Sequence, residues 1–139
     1  MIAKRVRIGL PLLLAALLPL SALASGTLSI RLVRASHTVQ GADPRLRDVA
    51  QALGASFAFQ GYTLVAQTSM PLPAEGRQVR LGAYTVRCAG NAHALSIQVD
   101  QGRRRLLNTT AGLRGRRPLI LGGFPAGAGD VFVLVFVAL

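Results

Sequence analysis

The side chains able to titrate, attack or bind a metal are few: His37, His93, Cys88 and five acids, Asp43, Asp48, Glu75, Asp100 and Asp130. An enzyme needs several such groups converging in one pocket. The spacing here supplies no paired carboxylates, no histidine–glutamate metal motif and no nucleophile elbow. Three acids have structural assignments. Asp43 sits where a helix N-cap belongs, Asp48 falls in the first turns of that helix, and Asp100 belongs to a turn. Glu75 and Asp130 lie in stretches rich in proline and glycine. Cys88 and His93 form the one nucleophile–base pair, separated by the turn-like Ala89-Gly90-Asn91. A catalytic thiolate needs a third, orienting group, and zinc wants three or four protein ligands; neither is specified. No catalytic residue, metal ligand or cofactor is assigned. The run Gly122 to Gly129 is glycine-rich, but no lysine followed by serine or threonine comes after it, as a phosphate-cradling loop requires. It reads as a flexible hairpin connection.

The arginines are the more specific feature. Beyond residue 24 the chain carries thirteen arginines, no lysine and five acids, a net charge of about +8. Codon bias in a GC-rich genome is the simplest origin of the missing lysine, yet the charge favours anionic partners whatever its cause. Two clusters stand out: Arg103, Arg104 and Arg105, and Arg114, Arg116 and Arg117. The planar guanidinium fork suits carboxylate and phosphate, so these six are the candidate anion- or partner-binding residues. The bland alternative is a solvated surface that blunts sheet edges. Alternation puts Arg103 and Arg105 on one strand face and Arg104 on the other. If Arg104 to Thr110 and Pro118 to Leu121 are neighbouring strands, the clusters occupy opposite ends. Aromatics are few and not interleaved with the basic residues, so nucleic acid is not an expected partner.

The elements that must position these groups are mostly strands. Leu28 to Arg34 alternates, with Leu28, Ile30 and Leu32 on one face and Arg31 on the other, the pattern of a half-buried strand. One helix follows. Asp43 caps it, Pro44 starts it, Leu46, Val49, Ala50 and Leu53 form an apolar stripe, and Gly54 ends it. At about eleven residues it is too short to stand alone and must lie on a sheet. Tyr62 to Gln67 is a strand leading into the proline-marked Met70 to Pro73. Gln78 to Leu81 and Tyr84 to Cys88 flank Gly82-Ala83, a tight two-residue hairpin. Ala94 to Asp100 and Arg104 to Thr110 form a second hairpin around Gln101-Gly102. Pro118 to Leu121 and Val131 to Leu139 close the chain. The expected fold is α+β and mainly β: seven or eight short, mostly antiparallel strands in a sandwich or curled sheet, with one amphipathic helix near the N-terminus. Cys88 shares a face with Tyr84 and Val86, so it reads as a small buried hydrophobe. As the lone cysteine it cannot form an internal disulfide; an intermolecular bridge is the alternative.

The chain begins like an exported precursor. Lys4, Arg5 and Arg7 precede an apolar stretch from Ile8 to Leu20, and Ala22-Leu23-Ala24 is a small-x-small cleavage pattern. Residues 1–24 therefore read as a signal peptide and 25–139 as a single β-rich domain, periplasmic or secreted. An uncleaved anchor is the alternative, disfavoured because the apolar stretch is short and interrupted by Pro11 and Pro19. No transmembrane helix is expected after residue 24.

The stretch Arg104 to Thr110, then Leu113-Arg114-Gly115-Arg116-Arg117-Pro118-Leu119-Ile120-Leu121-Gly122-Gly123, resembles the late β-region of bacterial secretins. The order of elements, with Tyr62-Thr63-Leu64 in a strand, resembles that of small exported bacterial proteins of uncharacterised function. The resemblance covers about twenty residues and implies an envelope or secretion-associated accessory module; it supplies no functional residue. The expected function is non-enzymatic binding or assembly in the bacterial envelope, with a role accessory to a secretion or pilus-like apparatus as one form of it, as a monomer or an oligomer. Alternatives are a binder of anionic lipid or polysaccharide through the arginine clusters, and an enzyme whose site the sequence hides.

Overall fold

The computed structural model describes residues 26–139; the expected signal peptide and its cleavage site lie outside the described residues. Nine strands form two sheets, and the fold is α+β and mainly β. They are β1 (Gly26–Ser36), β2 (Gly41–Ala42), β3 (Gly61–Leu72), β4 (Ala74–Leu81), β5 (Tyr84–Gly90), β6 (Leu95–Gln101), β7 (Arg104–Ala111), β8 (Leu119–Gly127) and β9 (Asp130–Ala138). The first sheet runs β2-β3-β1-β9-β8 and the second β4-β5-β6-β7. Every pairing is antiparallel except the short β2–β3 contact. The chain passes between sheets twice, at Leu72-Pro73, which is a cis peptide bond, and through residues 112–118.

Alternating apolar residues build the space between the sheets. Leu28, Ile30 and Leu32 of β1, with Leu134 and Phe136 of β9, meet Val86, Cys88, Ile97 and Val99 of the second sheet. Each large aliphatic or aromatic side chain so buried contributes roughly 1.5–3 kcal/mol, and no disulfide assists them because Cys88 is buried and free. The opposite face of β1 and β9 is buried too. Val33, Ala35, Val133, Val135 and Val137 pack with Leu46, Val49 and Leu53 of the helical segment. β1 is thus a central strand covered on both faces, not the half-buried strand its alternation suggests.

β3 serves both cores by a bulge. Leu32 pairs with Ala66 and Val33 with Leu64, leaving Val65 as the extra residue. The slip reverses the pleat. Tyr62 and Leu64 therefore point to the helix side, whereas Met70 and Leu72, also even-numbered, point between the sheets.

The helical segment departs from a continuous helix over Asp43 to Gly54. Asp43 caps only a 3₁₀ turn at Pro44–Leu46, accepting a hydrogen bond from Arg45 N. Val49 then leaves helical geometry (φ −120°, ψ 1°), and α1 runs from Ala50 to Ser56 with Gly54 inside it. Beside this break Asp48 turns to Arg31 on the sheet, with which it forms an ion pair. The apolar stripe itself is buried as its spacing predicts, with Leu46, Val49 and Leu53 at 0–2% exposure.

Two glycines hold the turns. Gly82 opens the β4–β5 hairpin at φ +59°, and a Cβ there would lie 3.0 Å from Leu32 Cδ2. Gly61 is crossed by the backbone of Val39, whose oxygen would lie 1.9 Å from an added Cβ. The run Gly122 to Gly129 is not the flexible connection expected. Most of it is β8, paired to β9 with Gly123 and Ala126 bulged out, and the turn is confined to Ala128-Gly129.

Candidate functional site

Four of the five acids are held by arginine. Arg31 and Asp48 form a two-pronged pair at 2.7 and 2.9 Å. Arg34 reaches Asp130 at 2.9 Å, Arg45 reaches Asp43 at 2.8 Å, and Arg105 reaches Asp100 at 3.1 Å. Hydrogen bonds from the Arg45 side chain and backbone hold the Asp43 carboxyl well below the usual carboxylate range. The Arg31 fork also lowers the Asp48 carboxyl. Asp130, expected in an open loop, is instead buried at the start of β9. Desolvation pushes its carboxyl up, but Arg34, helped by the His37 N–H and the Ser36 hydroxyl, outweighs that and lowers it. Its Oδ2 takes Arg34, while Oδ1 is buried without a hydrogen-bond partner of ordinary geometry among the described residues.

The remaining arginines are left in surplus. Among the described residues, nine of thirteen have no carboxylate within 4 Å. The six sequence candidates are all exposed and fall into two groups. Arg103 is in the β6–β7 turn, so strand alternation does not apply to it; Arg104 and Arg105 open β7 opposite Gln101 and Asp100. This turn shares its end of the sandwich with Gly82-Ala83, where Tyr84 stacks near Phe124 and Phe132 (5.4 and 5.9 Å) and Arg34 lies over the Phe132 ring. Arg114, Arg116 and Arg117 occupy the crossover from β7 to β8 at the other end. β7 and β8 are edge strands of different sheets, but β7 alone suffices to separate the clusters. Eight extended residues span about 25 Å.

The second end also carries a cleft of about 330 Å³, lined by Gly26, Leu72, Pro73, Asn91, Ala92, His93, Ala138 and Leu139. The Asn91 side chain shapes its β5–β6 turn by accepting from the N–H groups of His93 and Ala94. Leu113 N donates to Ala92 O at 2.6 Å, which fixes the arginine-bearing crossover to the cleft wall. No histidine–acid pair lines this cleft: Glu75 and Asp130 are both absent from its walls. Cys88 lies between the sheets with 0% exposure and burial raises its thiol to about 11, whereas His93 is exposed on the turn. No group of three or more His, Cys, Asp or Glu among the described residues could hold a metal. No helix among them is long and apolar enough to cross a membrane.

The sheet edges differ, a feature that sequence alignment of strands by period does not reveal. β4 is marked by Glu75, Arg77, Arg80 and a bulge at Gly76; β7 by Arg104, Arg105 and a bulge at Leu106; β8 by Pro125 and two bulges. These are devices that discourage pairing. β3 is paired beyond β1 only at Gly61 and Tyr62 by β2, and its Leu64 N–H is met by Asp43 Oδ2. From Val65 to Met70 its outer edge has no strand partner among the described residues and no charged residue. Val65 is 46% exposed.

No family model, curated protein or solved structure matches the chain.

Proposed function

We propose that this domain is a non-enzymatic, exported binding and assembly module of the bacterial envelope, which accepts an extended segment of a partner protein as an added strand on β3. The observation that carries the reading is the contrast between edges: three bear charged side chains or proline along with their bulges, whereas the Ala66–Met70 stretch of β3, between the bulge at Val65 and Pro71, bears neither. Strand addition draws affinity from main-chain hydrogen bonds and specificity from alternate side chains. The surplus positive charge favours a neutral or acidic segment. The leader-like first 24 residues support a place outside the cytoplasm, and the secretin-like stretch supports an accessory role beside a secretion or pilus-like apparatus.

The test is site-specific photo-crosslinking in the native host. A crosslinker at Gln67 should trap one defined partner, one at Gln98 on the outer face of the second sheet should not, and adding Val65→Lys with Ser69→Lys to the Gln67 crosslinker should abolish the adduct. Equal trapping from both positions, or none from Gln67, overturns it.

A second reading is favoured by the nine arginines without carboxylate partners: binding of an anionic envelope polymer or lipid at the sandwich ends. Retention on heparin that falls steeply with salt supports it, because each released counterion adds to the slope. Salt-independent retention refutes it.

A further inference from the structure

The arginine crossover and the cleft share a wall. Leu72, Pro73, Ala92, Ala138 and Leu139 give the cleft an apolar lining, and at about 330 Å³ it lies at the small end of ligand pockets. Its polar members, Asn91 and His93, belong to the turn that anchors the crossover through Leu113. Arg114 follows Leu113 directly, and Arg114, Arg116 and Arg117 are exposed with no carboxylate partner among the described residues. Apolar walls joined through Leu113 to a crossover that carries three arginines are complementary to a molecule with one aliphatic chain and one anionic head.

We infer that this end of the sandwich is a binding site for a single-chain anionic amphiphile of the alkyl-phosphate class, its chain seated in the cleft and its head on the Arg114–Arg117 crossover. The inference rests on the anionic-ligand reading and deepens it by choosing one of the two basic ends. The cleft's lining places it beside the Arg114–Arg117 crossover and away from the end around Arg103 and Arg104. A ligand held by its head alone gains nothing from a chain. Burying a chain adds affinity with each methylene, so octyl phosphate separates from inorganic phosphate, whose binding rests on charge alone.

The experiment titrates octyl phosphate and inorganic phosphate into the secreted form of the protein, followed by nuclear magnetic resonance and calorimetry. Octyl phosphate should bind at least about tenfold more tightly than phosphate and shift the Ala92 and Ala138 methyl resonances. Replacing Arg114, Arg116 and Arg117 with Ser should weaken it about tenfold or more. Ala138→Trp should remove the advantage of the chain while leaving phosphate binding unchanged; if that variant fails to fold, the methyl shifts in the parent protein decide the matter. Octyl phosphate binding no more tightly than phosphate, or shifting residues only around Arg103, overturns the inference. In that case salt-sensitive heparin retention would leave the wider anionic reading standing, and its loss would remove both.

Discussion

The Arg31 guanidinium, in the middle of β1, grips the Asp48 carboxylate at 2.7 and 2.9 Å and so ties the centre of the first sheet to the helical segment above it. The pair is lopsided: the arginine side chain is 13% exposed and the aspartate 54%. Arg31 Nε is buried with no partner, so the arginine has already given up part of its hydration. Removing the acid strands a buried charge, whereas removing both groups strands nothing. Asp48→Ala should therefore destabilise the fold by about 1–2 kcal/mol, a figure kept low because the carboxylate is half in water. Arg31→Met combined with Asp48→Ala should recover most of that loss. Urea denaturation of the two singles and the double is the check; a double as unstable as Asp48→Ala alone would show that the pair does not couple the layers.

Acid should weaken the fold through three carboxyls. Asp43, Asp48 and Asp130 all lie below the ordinary aspartate value of 3.8, through hydrogen bonds from Arg45, through the Arg31 fork, and through Arg34 overcoming desolvation, respectively. A depressed folded value means that the stabilisation is complete above the unfolded value and disappears as pH falls from it through the folded ones. The melting temperature should hold from pH 7 to about 5 and then drop towards pH 2. Asp48→Asn should flatten part of that drop. A melting temperature unchanged between pH 5 and 2.5 would contradict the role given to all three acids.

Cys88 is at 0% exposure and its thiol is raised to about 11 by burial, so little thiolate exists at pH 8 and none is accessible. A thiol-specific disulfide reagent should react with the native protein far more slowly than with the urea-unfolded chain. Non-reducing electrophoresis should show no covalent dimer. Cys88→Ala should cost about 1 kcal/mol by opening a small cavity. Rapid native labelling would mean that the sheets part at β5.

Periodicity reveals what a residue buries but not what lies on the other side of it. The even residues of β1 and the stripe Leu46, Val49, Leu53 are legible because burial follows the repeat. What alternation hides is the second covered face of β1: Arg31 looks solvated until the helical segment supplies Asp48 from seventeen residues away. The helix that Asp43 and Gly54 bracket in sequence is interrupted at Val49 next to that pair, which no local pattern announces. Val65 is equally silent, since a bulge is a register relation between two strands and not a property of either. The clusters at Arg103–Arg105 and Arg114–Arg117 are visible in the string, but their separation by the length of β7, and the joining of Leu113 to Ala92 beside an apolar cleft, are tertiary facts.

That bulge is itself testable. Deleting Val65 joins Leu64 to Ala66 in a regular ladder with their present partners Val33 and Leu32, so Tyr62 and Leu64 keep their places beneath the helical segment. Inserting an alanine between Leu64 and Val65 does the opposite: with the pairing of Ala66 to Leu72 and a one-residue bulge kept, Tyr62 and Leu64 turn to the sandwich side. Tyr62 would then lose the hydrogen bonds from its hydroxyl to the carbonyls of Leu53 and Phe57. Two large side chains misplaced cost several kcal/mol together, comparable with the whole stability of a domain this size. The insertion should abolish cooperative unfolding, whereas Val65→Thr, which keeps the residue count, should stay within about 0.5 kcal/mol of the parent. An insertion variant that melts normally would show that β3 does not depend on a one-residue bulge to reach both cores.

The two arginine clusters should behave as separate sites. They stand at opposite ends of β7, about 25 Å apart by strand length, whereas charges in physiological salt are screened over about 8 Å. A short anionic oligosaccharide cannot touch both, so calorimetry should give two ligands per chain. Replacing Arg114, Arg116 and Arg117 with Ser should reduce that to one, with the affinity of the remaining site unchanged. Replacing Arg103 and Arg104 should do the same from the other side; Arg105 matters less there because Asp100 already holds it. A long polymer that bridges both ends should instead lose affinity with either replacement, since tethering at one end raises the effective concentration at the other. One ligand per chain throughout, with affinity eroding as arginines are removed from either end, would mean that the positive charge acts as a single diffuse field and not as two localised sites.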